Sequence, residues 1–158
     1  MKRWMALGLI VLGTVATIHE VAEAQGDRCS VEILSPVMNA RVGEASNVSG
    51  SATIPAGTKL WIFAHRKGLA LWWPQGGGFA QIDNDKQWTV LVFFGVERDI
   101  GSQFEITARV VEPTENRELE AWVRRSVETR QYPGIPMPRA VPSCLVNNGT
   151  NVIVTRDH

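Results

Sequence analysis

Three aromatic residues and a glutamine flank a glycine-rich loop and form the first candidate binding site. Trp72, Trp73 and Phe79 surround the sequence Pro-Gln-Gly-Gly-Gly, in which Gln75 is the polar member. Neighbouring residues of a strand point to opposite faces, so we expect one of the two tryptophans to be exposed. An exposed indole beside an amide can stack on a sugar or anchor a protein partner. The alternative is that these aromatic side chains fill the core and a smaller hydrophobic cluster.

The sequence Asp83-Asn84-Asp85 places two carboxylates at positions i and i+2. Calcium-binding loops use this spacing, but they need further ligands and a following glycine, and here Lys86 follows. A hairpin turn is the favoured interpretation, and a calcium site at Asp83 and Asp85 is the weaker alternative.

No arrangement of residues typical of catalysis is recognisable. His65 ends a predicted strand, and the other histidines and the acids are too scattered along the chain to predict a metal centre. The sequence has no nucleophile elbow. We therefore predict no catalytic residues, no cofactor and no enzymatic activity. A hydrolase whose site assembles from distant residues is the alternative left open.

The first 24 residues have the organisation of a signal peptide. Met1-Lys2-Arg3 is basic, Trp4 to Ile18 is apolar, and a small-x-small sequence ends at Ala24. The apolar run of about 15 residues is shorter than the roughly 20 that span a bilayer. We predict cleavage after Ala24, a periplasmic or extracellular location, and no membrane insertion afterwards.

The predicted mature chain, residues 25–158, has two cysteines, Cys29 and Cys144. An even number of cysteines in an oxidising compartment favours pairing, so we predict one structural disulfide. It would close a loop of more than about 100 residues and stabilise the fold by roughly 4 kcal/mol.

Length and charge restrict the fold and the partners. The mature chain is long enough for one domain with one core. Lys plus Arg number 16 and Asp plus Glu number 16. Without a basic stripe, neither a nucleic-acid partner nor a polybasic membrane contact is expected.

Short apolar segments separated by glycine, proline and asparagine predict about seven or eight strands, typical of a β-sandwich or a β-barrel. One helix is predicted from Thr114 to Thr129, because Leu119, Trp122 and Val123 recur at helical spacing. Residues 39–44 are predicted to form a turn. The predicted strands are 31–34, 48–54, 58–65, 69–73, 87–94, 103–111 and 151–155.

Two of these segments, 58–65 and 87–94, are apolar on both faces. A strand with one face in solvent should alternate apolar and polar residues, so both segments are predicted to be covered on both faces. The apolar stripe around Trp122 is the expected cover. The prolines of the segment from Tyr132 to Pro142 lack an amide donor, so this segment cannot be an interior strand. It should form an extended surface strap that leads Cys144 back towards Cys29.

Several scaffold features occur together in the mature chain. They are Val31-x-Ile33-x-Ser35-Pro36, Val48-Ser49-Gly50-Ser51-Ala52, Leu60-Trp61-Ile62-Phe63, Trp73-Pro74-Gln75, Trp88, Phe104-Glu105-Ile106 and Tyr132-Pro133-Gly134 with Pro136 and Pro138. This set resembles uncharacterised bacterial extracytoplasmic immunoglobulin-like domains, and the resemblance covers most of the mature chain. It implies an immunoglobulin-like antiparallel β-sandwich and an extracytoplasmic location, and it carries over no binding or catalytic residue. The added helix and the proline strap depart from the family pattern.

The sequence thus predicts a non-catalytic, exported binding or adhesion module of the cell envelope that recognises a protein or an envelope glycan. A structural accessory subunit of a periplasmic or surface assembly is the alternative. Such a subunit would dock through a sheet edge or through the strap.

Overall fold

The computed structural model describes residues 29–144 and 151–158. The predicted signal peptide, residues 1–24, lies outside the described residues. The described chain contains eight strands in two sheets and one α-helix. The strands are β1 (Ser30–Ser35), β2 (Arg41–Val42), β3 (Ala45–Thr53), β4 (Lys59–Arg66), β5 (Trp73–Pro74), β6 (Gln87–Phe93), β7 (Gln103–Val111) and β8 (Val152–Arg156), and the helix is α1 (Pro113–Thr129).

The two sheets pack on each other through a shared core. The three-stranded sheet has the order β1-β3-β6, and the five-stranded sheet has the order β2-β8-β7-β4-β5. All pairs are antiparallel except β2 with β8, which are parallel. The expectation of a purely antiparallel sandwich is therefore wrong at β2, which lies within the predicted turn at 39–44. The core between the sheets includes Val48, Trp88, Val90 and Val92 from one side and Leu60, Ile62, Ile106 and Val154 from the other.

The predicted strand at 69–73 is largely absent, because only Trp73 and Pro74 pair with β4. The chain turns at Gly68, where φ is +92°, and Leu69 and Leu71 are exposed. Trp72 instead forms an isolated bridge with Ile135 of the strap, with both N–H to C=O distances at 2.8 Å. Ile135 can pair in this way because it keeps its amide donor among the prolines. The strap otherwise forms no strand, as predicted.

Helix α1 covers the outer face of β4 in the five-stranded sheet, as the sequence predicts. Pro113 occupies its first turn, where a missing amide hydrogen costs no helical bond. Leu119 belongs to a second hydrophobic cluster that contains Trp61 and Phe63, and Val123 packs against that cluster. Trp122 is also buried. Trp61 Nε1 donates to Asn116 Oδ1 at 2.9 Å, and Trp122 Nε1 donates to the Pro133 carbonyl oxygen at 3.0 Å. The helix and the strap are thus joined to the sheet by polar contacts as well as by packing.

Strand β6 does not have the predicted second cover. Trp88, Val90 and Val92 are buried, but Leu91 is 45% and Phe93 is 55% exposed. The physical reason is position: β6 is an edge strand of the three-stranded sheet, and α1 packs on the other sheet. One face of β6 therefore remains apolar and open.

The predicted disulfide between Cys29 and Cys144 is confirmed, with the two Cα atoms 5.0 Å apart. This separation is typical of disulfides. Cys29 is 3% exposed. Among the described residues, no helix is long and apolar enough to cross a membrane.

Candidate functional site

The two adjacent tryptophans have different environments, and neither is fully exposed. The ring of Trp72 stacks on His65, with centroids 3.6 Å apart and an angle of 15° between the planes. Trp72 also packs against the second hydrophobic cluster under α1. One face of its indole is therefore already occupied by a ring of the same molecule. The half-buried position of Trp72 fits the predicted packing role better than a binding role.

Trp73 lies on the other side of the chain and lines an open groove. It is half-buried, and its Nε1 donates to the Tyr132 carbonyl oxygen at 2.8 Å. Phe79 does not reach the groove. It packs into the cluster under α1, and Lys59 Nζ lies 4.3 Å from the centre of its ring, a distance typical of a cation–π contact.

Gln75 also lines the groove, but its amide already bonds within the chain. It is 8% exposed. Its Oε1 accepts the Phe93 amide hydrogen at 2.9 Å, and its Nε2 donates to the Trp73 carbonyl oxygen at 3.0 Å. The side chain thus joins β5 to the end of β6. Its principal role is to hold the two sheet edges beside each other.

The groove has a volume of about 1030 Å³. It lies between the end of β4, β5, the edge strand β6 and the second half of α1. Its walls are formed mainly by apolar and aromatic side chains that are only partly covered. Their exposed fractions run from 40% to 61% and belong to Leu69, Leu91, Phe93, Val96, Val127 and Tyr132. Contiguous exposed apolar surface of this kind marks interaction sites in soluble proteins.

Local backbone geometry keeps the groove in this shape. Strand β5 has only two residues, so the five-stranded sheet ends early at this edge. The chain then turns through Gly76, where φ is +73°. A Cβ atom there would lie 2.6 Å from Val90 Cγ1, so only glycine lets the loop approach β6 this closely. The loop after β5 therefore lies against β6, and Trp73, Leu91 and Phe93 line the same groove.

One end of the groove is polar and carries both signs of charge. Arg66 Nη1 donates to Asp99 Oδ1 at 3.2 Å. Asp99 Oδ2 accepts the Val96 amide hydrogen at 3.0 Å, which fixes the short 3₁₀ turn Glu97–Asp99. Arg98 lies in the same turn, is exposed and lines the groove.

His65 lines the same end and is hydrogen-bonded to an acid. It is 7% exposed, and its Nε2 lies 3.1 Å from Glu105 Oε2 on the neighbouring strand β7. Its Nδ1 is buried without a hydrogen-bond partner in the described structure. The described lining of the groove contributes no serine, threonine or cysteine beside this pair. The geometry is that of a partly buried hydrogen-bonded pair next to an apolar surface.

The Asp83 carboxylate stabilises a turn. Asp83 Oδ1 accepts the amide hydrogens of Asp85 and Gln87 at 2.9 and 2.8 Å, an arrangement typical of Asx turns. Lys86 adopts the left-handed conformation with φ of +63°. Within residues 29–144 and 151–158, no group of three or more His, Cys, Asp or Glu side chains is placed to hold a metal ion.

Of the four predicted binding residues, the structure places Trp73 and Gln75 on the groove and Trp72 and Phe79 under the helix. Sequence reasoning missed most of the lining. Leu91 and Phe93 could have been found from the apolar outer face of β6, had that face been assigned to solvent. Val127, Tyr132 and Arg98 carry no such signal, because their place in the groove depends on how α1 and the turn pack.

Compared with known proteins, the chain matches no family, no curated protein and no solved structure at a significant level.

Proposed function

We propose that this chain is a non-catalytic, exported binding module of the cell envelope, with an immunoglobulin-like sandwich as its scaffold, and that it binds an apolar segment of a partner protein. The observation that carries the proposal is the groove of about 1030 Å³, whose apolar walls stay partly exposed. Grooves near this size are typical of ligand-binding sites. Covering exposed apolar surface contributes roughly 25 cal/mol per Å² to the free energy of binding, before the entropic cost of association is subtracted.

Two observations support export. The N-terminal 24 residues have the order of basic, apolar and small residues of a signal peptide. The disulfide between Cys29 and Cys144 is of the kind that persists in oxidising compartments. The face-to-face arrangement of the two sheets supports the immunoglobulin-like assignment, although the parallel pair β2–β8 is an addition to it.

The composition of the groove favours a protein over an envelope glycan. A sugar is recognised by an open aromatic face together with several free polar groups. Here the Trp72 ring is stacked on His65. Trp73 Nε1 and the Gln75 amide already bond within the chain. Apart from the charged end at Arg98, what remains open is apolar. It suits the apolar side chains of a polypeptide better than the hydroxyl groups of a sugar.

An accessory subunit that accepts a partner strand is the second candidate, and the register of β6 favours it. Phe94 donates to the Glu44 carbonyl and Ala52 to the Lys86 carbonyl, so the even-numbered residues of β6 bond to β3. The amides of Thr89 and Leu91 therefore point away from β3. Edge groups of this kind can pair with an added strand.

A peptide-display selection on the oxidised mature protein tests the first proposal. We expect wild type to enrich peptides rich in apolar residues, and Phe93→Ser to lose them while keeping its thermal unfolding midpoint. Leu34→Ser is the matched control, because Leu34 is 49% exposed on the opposite edge strand, β1, and does not line the groove.

Failure of wild type to enrich any peptide would contradict the proposal, as would equal losses in the Phe93 and Leu34 variants. Co-sedimentation with insoluble cell-wall glycan provides the competing arm. Glycan binding by wild type that Trp73→Ala abolishes would assign the groove to a sugar instead. Enriched peptides that lose affinity after methylation of alternate backbone nitrogens would favour the strand-accepting subunit, since methylation removes the amide donors of an added strand.

A further inference from the structure

The charged end of the groove contains one cation more than it contains anions. Arg66 and Arg98 line it, and Asp99 is the only carboxylate in the described lining. Both oxygens of Asp99 are already engaged, one by Arg66 and one by the Val96 amide. Arg98 makes no hydrogen bond or ion pair within the described part of the chain. One guanidinium therefore stands beside the apolar groove with its donors free for a ligand.

The cation and the apolar wall come from neighbouring parts of the chain. Leu91 and Phe93 lie at the end of β6, Val96 follows, Arg98 lies in the turn directly after it, and all four residues line the groove. A ligand that fills the groove would therefore contact both the apolar side chains and the guanidinium. Arginine binds carboxylates through paired N–H groups in a fixed planar fork, which makes it selective for that group.

We propose that the groove recognises an extended peptide segment of a partner protein in which apolar side chains are followed by a carboxylate, and that Arg98 binds the carboxylate. This inference rests on the proposed function and specifies its ligand. Charge complementarity at the Arg98 end and apolar complementarity along β6 together define the segment. A C-terminal carboxylate and an acidic side chain share this chemistry.

The openness of the groove distinguishes a protein segment from a single acyl chain. Phe93, Val96, Val127 and Tyr132 are each more than half exposed, so a lone acyl chain lying on them would keep much of its own surface in water. A segment that belongs to a folded partner brings a polar rim that excludes water around the apolar contacts. A fatty acid would instead favour an enclosed cavity.

The test uses two fluorescent peptides that differ by one charge. Both alternate valine and phenylalanine with serine, and one ends in a free carboxylate while the other ends in an amide. Binding to the oxidised mature protein is measured by fluorescence anisotropy at low and high salt. We expect the acid to bind wild type roughly tenfold more tightly than the amide, because one charge-assisted pair is gained. This difference should shrink at high salt.

Variants then locate the charge effect. Arg98→Gln should bind both peptides with the affinity that wild type shows for the amide. Arg124→Gln is the matched control, because Arg124 is exposed on α1 but does not line the groove. It should keep the roughly tenfold difference between the peptides.

The outcomes separate this inference from the proposed function. Equal binding of acid and amide, lost from both in Phe93→Ser, would overturn the role of Arg98 and leave the apolar groove standing. If wild type binds decanoate in a manner that depends on Arg98 and binds neither peptide, the proposal of a peptide ligand is overturned and the groove is assigned to a fatty acid. If no probe binds wild type, the proposed function and this inference both fail.

Discussion

Strands β4 and β6 have similar compositions and different surroundings. Each carries apolar residues on both faces, and each lines the core between the sheets with one of them. The outer face of β4 lies under α1, where Trp61 and Phe63 have no exposed surface. The outer face of β6 holds Leu91 and Phe93, which remain about half exposed.

The difference teaches that the same apolar pattern stabilises the fold at β4 and leaves apolar surface open to solvent at β6. Strand β4 is covered on both sides because the chain continues from its neighbour β7 into α1 immediately. No described element covers the outer face of β6 at Leu91 and Phe93. Contiguous exposed apolar surface is typical of interaction sites, and the binding function proposed above rests on it.

The largest expected effect is a difference in stability between variants of Phe63 on β4 and Phe93 on β6. Phe63→Ala should lower the free energy of unfolding by about 3–5 kcal/mol, because it removes a fully buried ring and leaves a cavity. Phe93→Ala should change it by less than about 1 kcal/mol, since more than half of that side chain is already in water. Urea unfolding of both variants measures the difference. Equal losses would mean that the outer face of β6 is covered in solution.

An intermediate effect is expected at the contact that joins the helix to β4. Asn116→Ala leaves the buried Trp61 Nε1 without its acceptor and should cost about 1–3 kcal/mol. Glu118→Ala, on an exposed position of the same helix, is the control and should cost less than about 0.5 kcal/mol. Thermal unfolding followed by circular dichroism compares the two. If both variants have the thermal unfolding midpoint of wild type, the position of α1 does not depend on this hydrogen bond.

The smallest effect on stability is expected at Leu91. Leu91→Thr should change the free energy of unfolding by less than about 0.5 kcal/mol, because the side chain is exposed and threonine suits a strand. The same change should weaken the fluorescence of a bound anilinonaphthalene dye, since it removes apolar surface from the groove. Dye fluorescence that stays at the wild-type level would show that the dye, and by extension an apolar ligand, does not use this wall.

Local patterns predicted most elements of the fold. Alternation placed β7 at Gln103–Val111, and helical spacing of Leu119 and Trp122 placed α1 to within one residue at its start. The prediction of a strand at 69–73 was wrong. A strand needs a neighbouring strand to pair with, and in this segment the strap pairs with Trp72 alone. The parallel β2–β8 pair joins segments more than a hundred residues apart, and no local pattern specifies such a pair.

The candidate site was predicted in part. Trp73 and Gln75 were predicted to be binding residues, and both line the groove. The prediction was possible because the glycines and the proline beside them mark a loop, and loops lie at the surface. Trp72 and Phe79 share that loop but pack under the helix. Which side of the loop faces the helix depends on strand pairing with β4 and on the strap, and neither is encoded within the loop itself.

The sequence alone determined the strand-rich composition, the helix, the two cysteines that pair and the presence of two doubly apolar strands, because each depends on residue type and short-range spacing. Only the tertiary structure decided which of those two strands is covered on its outer face. It also decided that the guanidinium of Arg98 lies beside the strand that is left uncovered, β6. Burial is a property of what packs against a residue. For β6 nothing in the described chain packs against Leu91 and Phe93 closely enough to bury them.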